Sequence, residues 1–274
     1  MYFKLIESAG PIEIIAHRVI WAIPALAIFL LLRDGKALLP KLRISRRSVA
    51  WLALSALLLS TNWLIFVWAV VHDQVLATSL GYFINPLFNV LLGYVFLKER
   101  LTGNQKVAVG IAALGTVYLG WYLGVTPWVS LGLPILFGFY GLVRKQLAVG
   151  PMTGLMWENF LLFLPALMYL LWKNHQGEMV FLNESLSLDY FLVLAGLVTV
   201  LPLIWFNTAA QALTLTVVGF FMYIGPSISM LLAVFLWKEP FTQGHAVAFG
   251  CIWFGLILIT AEQARNLHRR RRIV

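Results

Sequence analysis

Apolar residues occur in this chain in long runs that are separated by short polar loops. A helix needs about 20 consecutive, mostly apolar residues to cross the hydrocarbon core of a bilayer. The runs lack the alternation of polar and apolar residues that is typical of barrel strands, so they predict membrane-spanning helices. The nine predicted spans are Ile12–Leu32, Val49–Val71, Val75–Leu97, Gln105–Gly124, Trp128–Val143, Met152–Trp172, Tyr190–Ala212, Leu215–Trp237 and Gln243–Ala261.

The second half of the sequence repeats the first half at a constant offset of 140 residues. The segment from Ser79 to Tyr118 reappears from Gly219 onward without a gap. The offset is too long for a solenoid, so it predicts two homologous halves, 1–124 and 128–261, followed by a basic tail, 262–274. The matched pairs include Pro86 with Pro226, Lys98-Glu99 with Lys238-Glu239, Thr102 with Thr242, Val107-Ala108 with Val247-Ala248, Gly110 with Gly250 and Gly115 with Gly255.

The repeat also predicts that one helix is only partly contained in this sequence. The offset places Met1 opposite Gly141, which lies inside the span that starts at Trp128. A complete helix of about 20 residues would therefore place a dozen or more apolar residues before Met1. The expected design has ten helices, five in each half, with the first largely missing here.

The composition agrees with an integral membrane protein. Hydrophobic residues make up 61% of the 274 residues, charged residues only 11%, and the mean hydropathy is +0.87. A soluble domain carries about 25% charged residues, so this chain has too much apolar surface to bury within itself. The single cysteine, Cys251, provides neither a disulfide framework nor a CxxC metal site.

The basic residues predict the orientation of the chain in the membrane. If the spans alternate in direction, sixteen of the twenty Lys and Arg residues fall on one side. Short loops rich in Lys and Arg are cytoplasmic, so this side and the C-terminal tail are predicted to face the cytoplasm. The sixteen are Arg33, Lys36, Lys41, Arg43, Arg46, Arg47, Lys98, Arg100, Lys106, Arg144, Lys145, Arg265 and Arg269 to Arg272.

The same charge pattern bears on partners and on architecture. The net charge of +9 is spread over loops between spans, so it predicts membrane orientation and not a nucleic-acid-binding face. An odd number of helices in each half puts Lys98-Glu99 and Lys238-Glu239 on opposite sides. The halves are therefore expected to be inverted copies, an architecture that is typical of secondary transporters with a substrate site near the bilayer midplane.

Two prolines occupy equivalent positions in the middle of equivalent spans. Pro86 and Pro226 each lack an amide donor and disturb the hydrogen bond to the carbonyl four residues earlier, at Tyr82 and Met222. Paired interrupted helices in the two halves indicate a transport site. Asn85-Pro86 and Gly225-Pro226 are therefore expected to line a cavity; the alternative is a packing kink.

Two charged residues, Arg18 and Glu158, lie well inside predicted spans and are equivalent under the 140-residue offset. A charge in hydrocarbon costs about 2.5–3.5 kcal/mol or more, so it usually faces a polar interior. Their backbone levels are expected to differ by roughly 10–12 Å in depth, which leaves open a direct pair or a substrate or water between them. For Arg18, snorkelling to the interface is the alternative.

Further polar residues inside the spans complete the candidate cavity. Taken one at a time, each is better explained by an interhelical hydrogen bond, worth about 0.6 kcal/mol on average, than by a contact with a ligand. Together they predict a polar interior. The candidate substrate-binding residues are His17, Arg18, Asn62, Trp63, Tyr82, Asn85, Pro86, Glu158, Asn159, Tyr223 and Pro226, and other polar positions within spans are Asn89, Asn207 and Gln211.

Motifs for other chemistries are missing from the sequence. There is no GxxxxGK[ST] loop for ATP, no HExxH zinc site, no GxSxG nucleophile elbow and no K⁺-channel filter. We therefore expect no bound cofactor, no metal and no catalytic residue.

Three segments resemble a known family: Glu13-Ile-Ile-Ala-His-Arg-Val-Ile-Trp21, Ser79-Leu-Gly-Tyr-Phe-Ile-Asn-Pro-Leu87 and Phe139-Tyr-Gly-Leu-Val-Arg-Lys145. They resemble the RarD branch of the EamA-type drug/metabolite transporter superfamily, over essentially the whole chain. The resemblance implies an all-α bundle of two inverted EamA repeats in the bacterial inner membrane. It also implies a central cavity built from the first four helices of each half, and no settled substrate.

Three functional hypotheses remain at this stage. The first is a secondary transporter that moves a small metabolite or drug by alternating access, with the lipid bilayer as its surroundings and a proton as one candidate coupling ion. The second is an intramembrane enzyme that uses Glu158 and His17. The third is a membrane scaffold that does not transport, a hypothesis suggested by the incomplete first helix.

Overall fold

The computed structural model describes residues 6–35, 38–72, 74–124, 127–235 and 243–271. Within these ranges the chain is helical and has no strand, as the apolar runs predicted. A short 3-10 helix, Glu7–Ala9, comes before the α-helices. These are α1 (Pro11–Asp34), α2 (Leu38–Leu42), α3 (Arg46–Val71), α4 (Val75–Phe96), α5 (Gly103–Leu123), α6 (Pro127–Gln146), α7 (Pro151–His175), α8 (Leu186–Ala212), α9 (Leu215–Met222), α10 (Ile224–Phe235) and α11 (Gln243–Arg271).

Eight segments of the described chain are long and apolar enough to cross a membrane, one fewer than the sequence predicted. The segment that is not among them is Trp128–Val143. It is helical, but its helix, α6, continues beyond Val143 to Gln146 and so takes in Arg144 and Lys145, which the charge pattern had assigned to a loop. These polar residues lower the hydropathy of its last turn.

The helices form two compact units, and each unit combines helices from both halves of the sequence. The first unit consists of Met1–Val71 and Phe139–Ala212, which includes α1, α3, α7 and α8. The second consists of His72–Gly138 and Leu213–Val274, which includes α4, α5 and α9 to α11. Helix α6 contributes its first part to the second unit and its last part to the first.

In the first unit, the equivalent helices α1 and α7 pack antiparallel. Near the start of α1, Glu13 forms an ion pair of 2.5 Å with Lys173 near the end of α7. Near the end of α1, Nη1 of Arg33 lies 3.2 Å from Sδ of Met152 at the start of α7. Two equivalent helices that pack in opposite directions are what an inverted repeat requires.

In the second unit, α5 and α11 meet through a pair of reciprocal contacts. A Cβ atom added to Gly115 would lie 3.2 Å from the carbonyl oxygen of Ala248, and one added to Gly255 would lie 3.2 Å from the carbonyl oxygen of Ala108. Because positions 108 and 115 are equivalent to 248 and 255, the 140-residue offset converts each of these two contacts into the other. The small residues let the antiparallel helix backbones approach closely, as is common between membrane helices.

The repeated Lys98-Glu99 motif has a structural role in the second unit. Glu99 follows α4 and accepts hydrogen bonds from the backbone N–H groups of Leu215 and Thr216, at 2.7 and 3.0 Å, and from the Thr216 hydroxyl at 2.8 Å. The first N–H groups of a helix have no partner within the helix. Glu99 therefore caps the start of α9 from a distant part of the chain. The matching residues, Lys238-Glu239, lie outside the described residues.

The apolar core of the second unit packs beside this cap. Phe83 of α4 and Phe249 of α11 meet edge to face, with ring centroids 5.0 Å apart. Phe220 and Tyr223 from α9 and its C-terminal end join the same cluster. The cluster fixes the position of the chain at Tyr223, where the second candidate proline segment begins.

Candidate functional site

Arg18 is buried inside the first unit, with 8% of its surface exposed. Its Nε donates a hydrogen bond of 2.8 Å to Oγ1 of Thr199 on α8, and its guanidinium carbon lies 4.1 Å from the ring centroid of Trp63 on α3. Arginine above an indole face is a favourable cation–π geometry. Two predicted site residues, Arg18 and Trp63, are thus in contact, and burial argues against a snorkelling arginine.

Glu158 is also buried, and its carboxylate has partners on two other helices. Nε of Arg144 lies 3.4 Å from Oε1, and the Ser55 hydroxyl donates a hydrogen bond to the same oxygen. The Tyr140 hydroxyl lies 3.5 Å from Oε2. Buried charges are stabilised in proteins when they are paired and hydrogen-bonded. This carboxylate has both kinds of partner.

Arg144 differs most from its sequence-based prediction. It was assigned to a cytoplasmic loop, but it lies in the last turn of α6 with a side chain that is 0% exposed. Its Nη2 donates to the carbonyl oxygen of Pro151 at 3.1 Å, and its Nε lies 3.3 Å from Oδ1 of Asn207. The guanidinium lies directly over Gly154, where an added Cβ atom would overlap it. Gly154 therefore makes room for the arginine.

Asn207 and Tyr140 join these contacts into one network. The side-chain amide of Asn207 donates to the Tyr140 hydroxyl at 2.7 Å, while its oxygen accepts from Arg144. Helices α3, α6, α7 and α8 each contribute a buried polar side chain. We call Ser55, Tyr140, Arg144, Glu158 and Asn207 the Glu158 network.

Arg18 and Glu158 do not form the direct pair that their equivalence left open. The antiparallel register of α1 and α7 places Arg18 opposite about residue 168 of α7, roughly ten residues from Glu158. At 1.5 Å per residue this is a separation of about 15 Å along the helices, more than the 10–12 Å expected from sequence. The carboxylate of Glu158 is instead paired with Arg144.

A second buried ion pair lies near the start of α1. Glu13 is 0% exposed and pairs with Lys173, and its Oε1 accepts the backbone N–H of Val180 at 3.0 Å and of Phe181 at 3.4 Å. The carboxylate holds the loop between α7 and α8 against α1. The sequence assigned Lys173 to the less basic side of the membrane and gave Glu13 no separate role.

His17 lies one turn along α1 from Glu13 and is buried beneath the same loop. Its Nδ1 accepts a hydrogen bond of 3.2 Å from Nε1 of Trp21, and its ring lies 4.6 Å from that of Phe181. Its Nε2 has no hydrogen-bond partner among the described residues. Because Nδ1 is an acceptor here, Nε2 carries the proton of the neutral imidazole.

The remaining predicted residues of the first unit are less informative. Asn159 is buried, and its amide donates to the carbonyl of Leu155 in its own helix at 2.8 Å. Asn62 is half-buried on α3, next to Trp63. The bond of Asn159 is therefore within one helix, unlike the interhelical bond that was the alternative interpretation.

In the second unit, the segment around Pro86 stays helical. Helix α4 continues without a break from Val75 to Phe96, although the sequence predicted a weak point at its centre. Asn85 is buried, and the amide of Asn89 donates to its carbonyl and side-chain oxygens at 3.1 and 3.3 Å. Tyr82 is 48% exposed and so is not part of the buried polar group.

The equivalent segment around Pro226 is interrupted, as predicted. Helix α9 ends at Met222, Tyr223 lies between the helices, and α10 begins at Ile224. Pro226 falls in the first turn of α10, where a missing N–H group costs little because such groups have no helical partner. The Ser227 hydroxyl donates to the carbonyl of Tyr223 at 2.8 Å and accepts from Nε1 of Trp253 at 2.9 Å.

The two proline segments also differ in the side chains around them. The first-half equivalents of Ser227 and Trp253 are Leu87 and Ala113, which cannot make these hydrogen bonds. The side-chain hydrogen bonds beside Pro226 therefore have no equivalent in the first half. The matching prolines alone could not distinguish the two cases.

Sequence reasoning named Arg18, Glu158 and His17 but missed Thr199, the partner of Arg18, and Ser55, Tyr140 and Arg144, the partners of Glu158. It also missed the buried pair of Glu13 and Lys173. One signal was available, because Glu13, Tyr140 and Arg144 lie within the segments that carry the family resemblance. Among the described residues there is also no group of three or more His, Cys, Asp or Glu side chains that could hold a metal ion.

Comparison with known sequences identifies the family. The sequence model of the EamA-like transporter family matches residues 1–121 and again residues 127–261. The chain belongs to the EamA-like transporter family. The EamA match covers each half of the sequence separately, in agreement with the 140-residue repeat and with the two EamA repeats expected for the fold.

Within the EamA-like family, similar proteins include the RarD proteins, as the sequence segments indicated. The chain is 40% identical to an "Uncharacterized transporter" of Vibrio cholerae, over 99% of this chain and 90% of that protein. It is 39% identical to "Protein RarD" of Escherichia coli strain K12, over 95% and 88%. It is 30% identical to "Chloramphenicol-sensitive protein RarD" of Pseudomonas aeruginosa, over 99% and 91%.

The fold of this EamA-like chain also matches a solved structure. A protein of known crystal structure superposes on it with a TM-score of 0.70, covering 94% of this chain and 92% of the other. The two sequences are 18% identical, so the match supports the fold alone.

Proposed function

We propose that this protein is a secondary transporter that moves a small metabolite or drug across the bacterial inner membrane by alternating access. The observation that carries the proposal is the presence of buried charged residues at equivalent positions of inverted helices, Arg18 on α1 and Glu158 on α7. Charged residues inside membrane helices are costly and usually mark pathways for ions or substrates. Inverted repeats supply two equivalent conformations for such a pathway.

The interrupted helix supports the same function. Pro226 has no N–H group to donate to the carbonyl of Met222, and it lies in the middle of a lipid-length segment, Leu215–Leu232. Tyr223 itself keeps helical backbone angles, so the break is a single residue long. Discontinuous helices of this kind form substrate sites in many transporters.

The proposed substrate-contacting residues are those that the sequence singled out. In the first unit they include Arg18, Trp63 and His17, and in the second unit they include Tyr223 and Pro226, at the break in the helix. Glu158 is proposed to act through its network and not as a free carboxylate. The further proposed lining residues are Asn62, Tyr82, Asn85, Pro86 and Asn159.

We also propose that the C-terminus and the loop before α3 are cytoplasmic. The support comes from the division of basic residues, since Lys41 and Arg43 lie between α1 and α3 and Arg46 and Arg47 begin α3. The names of the relatives refer to transporters, which agrees with a protein that is not an enzyme. The catalytic alternative has no geometric support, because the register of α1 and α7 separates His17 from Glu158 by about 16 Å.

Transport is tested by uptake into proteoliposomes with and without a pH gradient. Chloramphenicol is the first compound for the panel because the name of one relative refers to sensitivity to it; labelled amino acids and nucleosides follow. We expect saturable uptake above protein-free liposomes, lost in Arg18→Ala and kept in Arg43→Ala, which removes an exposed arginine. Stimulation by the pH gradient would identify the proton as coupling ion. No uptake of any panel compound under either condition would contradict the proposal.

A further inference from the structure

Two buried hydrogen bonds in the first unit join the two halves of the sequence in equivalent places. In one, Arg18 of α1 donates to Thr199 of α8. In the other, Ser55 of α3 donates to Glu158 of α7. The 140-residue offset converts α1 into α7 and α3 into α8, so each bond joins the same two helices of the repeat, with the halves exchanged.

The equivalence extends to individual residues. Arg18 corresponds to Glu158 directly, and Ser55 corresponds to position 195, one helical turn from Thr199. The Thr199 hydroxyl donates to the carbonyl of Ala195 at 2.7 Å, which leaves its lone pairs to accept from Arg18. A hydroxyl can donate or accept, so it serves as the partner of an arginine in one half and of a glutamate in the other.

The two hydrogen bonds lie at different depths. The register of α1 against α7 separates Arg18 from Glu158 by about 15 Å along the helices. Arg18 is in the part of the unit near the α7–α8 loop, and Glu158 is in the part near the start of α7. Each bond therefore joins a first-half helix to a second-half helix, and the two bonds lie near different ends of the unit.

We propose that these bonds are two latches, one for each face of the membrane, and that releasing one opens the helices on its own side only. This proposal rests on the alternating access proposed above. In an inverted repeat, the two halves exchange conformations between the outward-open and inward-open states. Equivalent contacts at opposite ends are then expected to break in turn, and Arg18–Thr199 and Ser55–Glu158 are such contacts.

The test uses two reporter cysteines that are themselves equivalent. Leu52 on α3 and Leu192 on α8 differ by 140 residues, are both 0% exposed, and lie between the start of their helix and its latch residue. Each is replaced by cysteine in a Cys251→Ser background. The rate of labelling by a water-soluble methanethiosulfonate is measured in nanodiscs, where both faces are accessible and no substrate is required.

Ser55→Ala should raise the labelling rate at position 52 about tenfold or more and leave position 192 unchanged or lower, because the lost bond involves a charged group. Thr199→Val should do the reverse. Ser60→Ala on α3 and Thr208→Val on α8 are matched controls, since their hydroxyls bond only to carbonyls of their own helices. Ser55→Thr and Thr199→Ser keep the hydroxyl and should label at the parent rate.

Two results would overturn the latches. A higher labelling rate at both reporters in either variant would indicate general loosening of the unit. An unchanged labelling rate at both reporters would show that the bonds do not hold the helices together. Ser55→Ala and Thr199→Val each test one latch independently, so the proposal stays testable if one of these variants does not fold. A one-sided response without any measurable uptake would keep the latches and reject the transport function instead.

Discussion

Nε of Arg144 lies 3.4 Å from Oε1 of Glu158, and both side chains are almost completely buried. This pair joins α6 to α7, whereas the sequence had placed one member in a loop and suggested Arg18 as a partner for the other. A buried ion pair adds little net stability compared with apolar residues, but the loss of one partner leaves an uncompensated charge. The pair can therefore be tested by comparing the stability of the two single variants with that of the double variant.

Arg144→Met should destabilise the protein by about 3–5 kcal/mol, and Glu158→Gln by a similar amount, because each leaves the other charge buried alone. The double variant should recover much of the loss, giving a coupling energy that thermal unfolding in detergent can measure. Arg43→Gln, which removes an exposed arginine, is the control and should have a small effect. Additive losses in the double variant would show that the pair does not act as a unit.

The variants Arg18→Ala and Glu158→Ala should have additive effects on stability. The two residues are about 15 Å apart along the helices, and Glu158 is paired with Arg144. Sites more than 7–10 Å apart without shared partners are additive within about 0.5 kcal/mol. A coupling clearly above that value in a double-mutant cycle would indicate that the two charges share a site after all.

Gly196→Ala should be strongly destabilising. A Cβ atom at this position of α8 would overlap the backbone of α1 at Trp21 and Ala22, and backbone atoms cannot rotate away as a side chain can. Gly110 on α5 is the matched control, since nothing lies within 4 Å of its added Cβ atom. Gly110→Ala should be neutral or slightly stabilising because alanine has the higher helix propensity. Equal melting temperatures for the two variants would contradict the observed α1–α8 contact.

Glu99→Ala should weaken the start of α9. It removes the acceptor of two backbone N–H groups and of the Thr216 hydroxyl, and loss of a helix cap costs about 0.5–2 kcal/mol. Glu99→Gln keeps one acceptor oxygen and should have a smaller effect. Hydrogen exchange at the amides of Leu215 and Thr216 provides the local measurement. Faster exchange only in α5, with α9 unchanged, would reject the capping role.

The proposed orientation predicts opposite labelling of two exposed serines. Ser45 precedes α3 in the basic loop, and Ser185 precedes α8 in the loop that is proposed to be periplasmic. In a Cys251→Ser background, a cysteine at 185 should react with an impermeant thiol reagent added to intact cells, whereas a cysteine at 45 should react only after the membrane is opened. Equal reaction of both from outside would contradict the alternation of the spans.

The sequence by itself determined the membrane class, the bounds of most spans and the inverted repeat. Each of these properties follows from a pattern along the chain: the length of the apolar runs, the 140-residue offset and the placement of Lys and Arg. The reciprocal contacts of Gly115 with Ala248 and of Gly255 with Ala108 follow the same offset, so the structure repeats what the sequence repeats.

Only the tertiary structure decided which buried groups are partners and which proline interrupts its helix. Ser55 and Arg144 precede Glu158 by 103 and 14 residues, and no local pattern connects them. The prolines are equivalent, but only the second-half segment is interrupted, at Tyr223, beside the hydrogen bonds of Ser227 and Trp253. Partner choice depends on distances between helices far apart in sequence, and these distances exist only once the helices are packed.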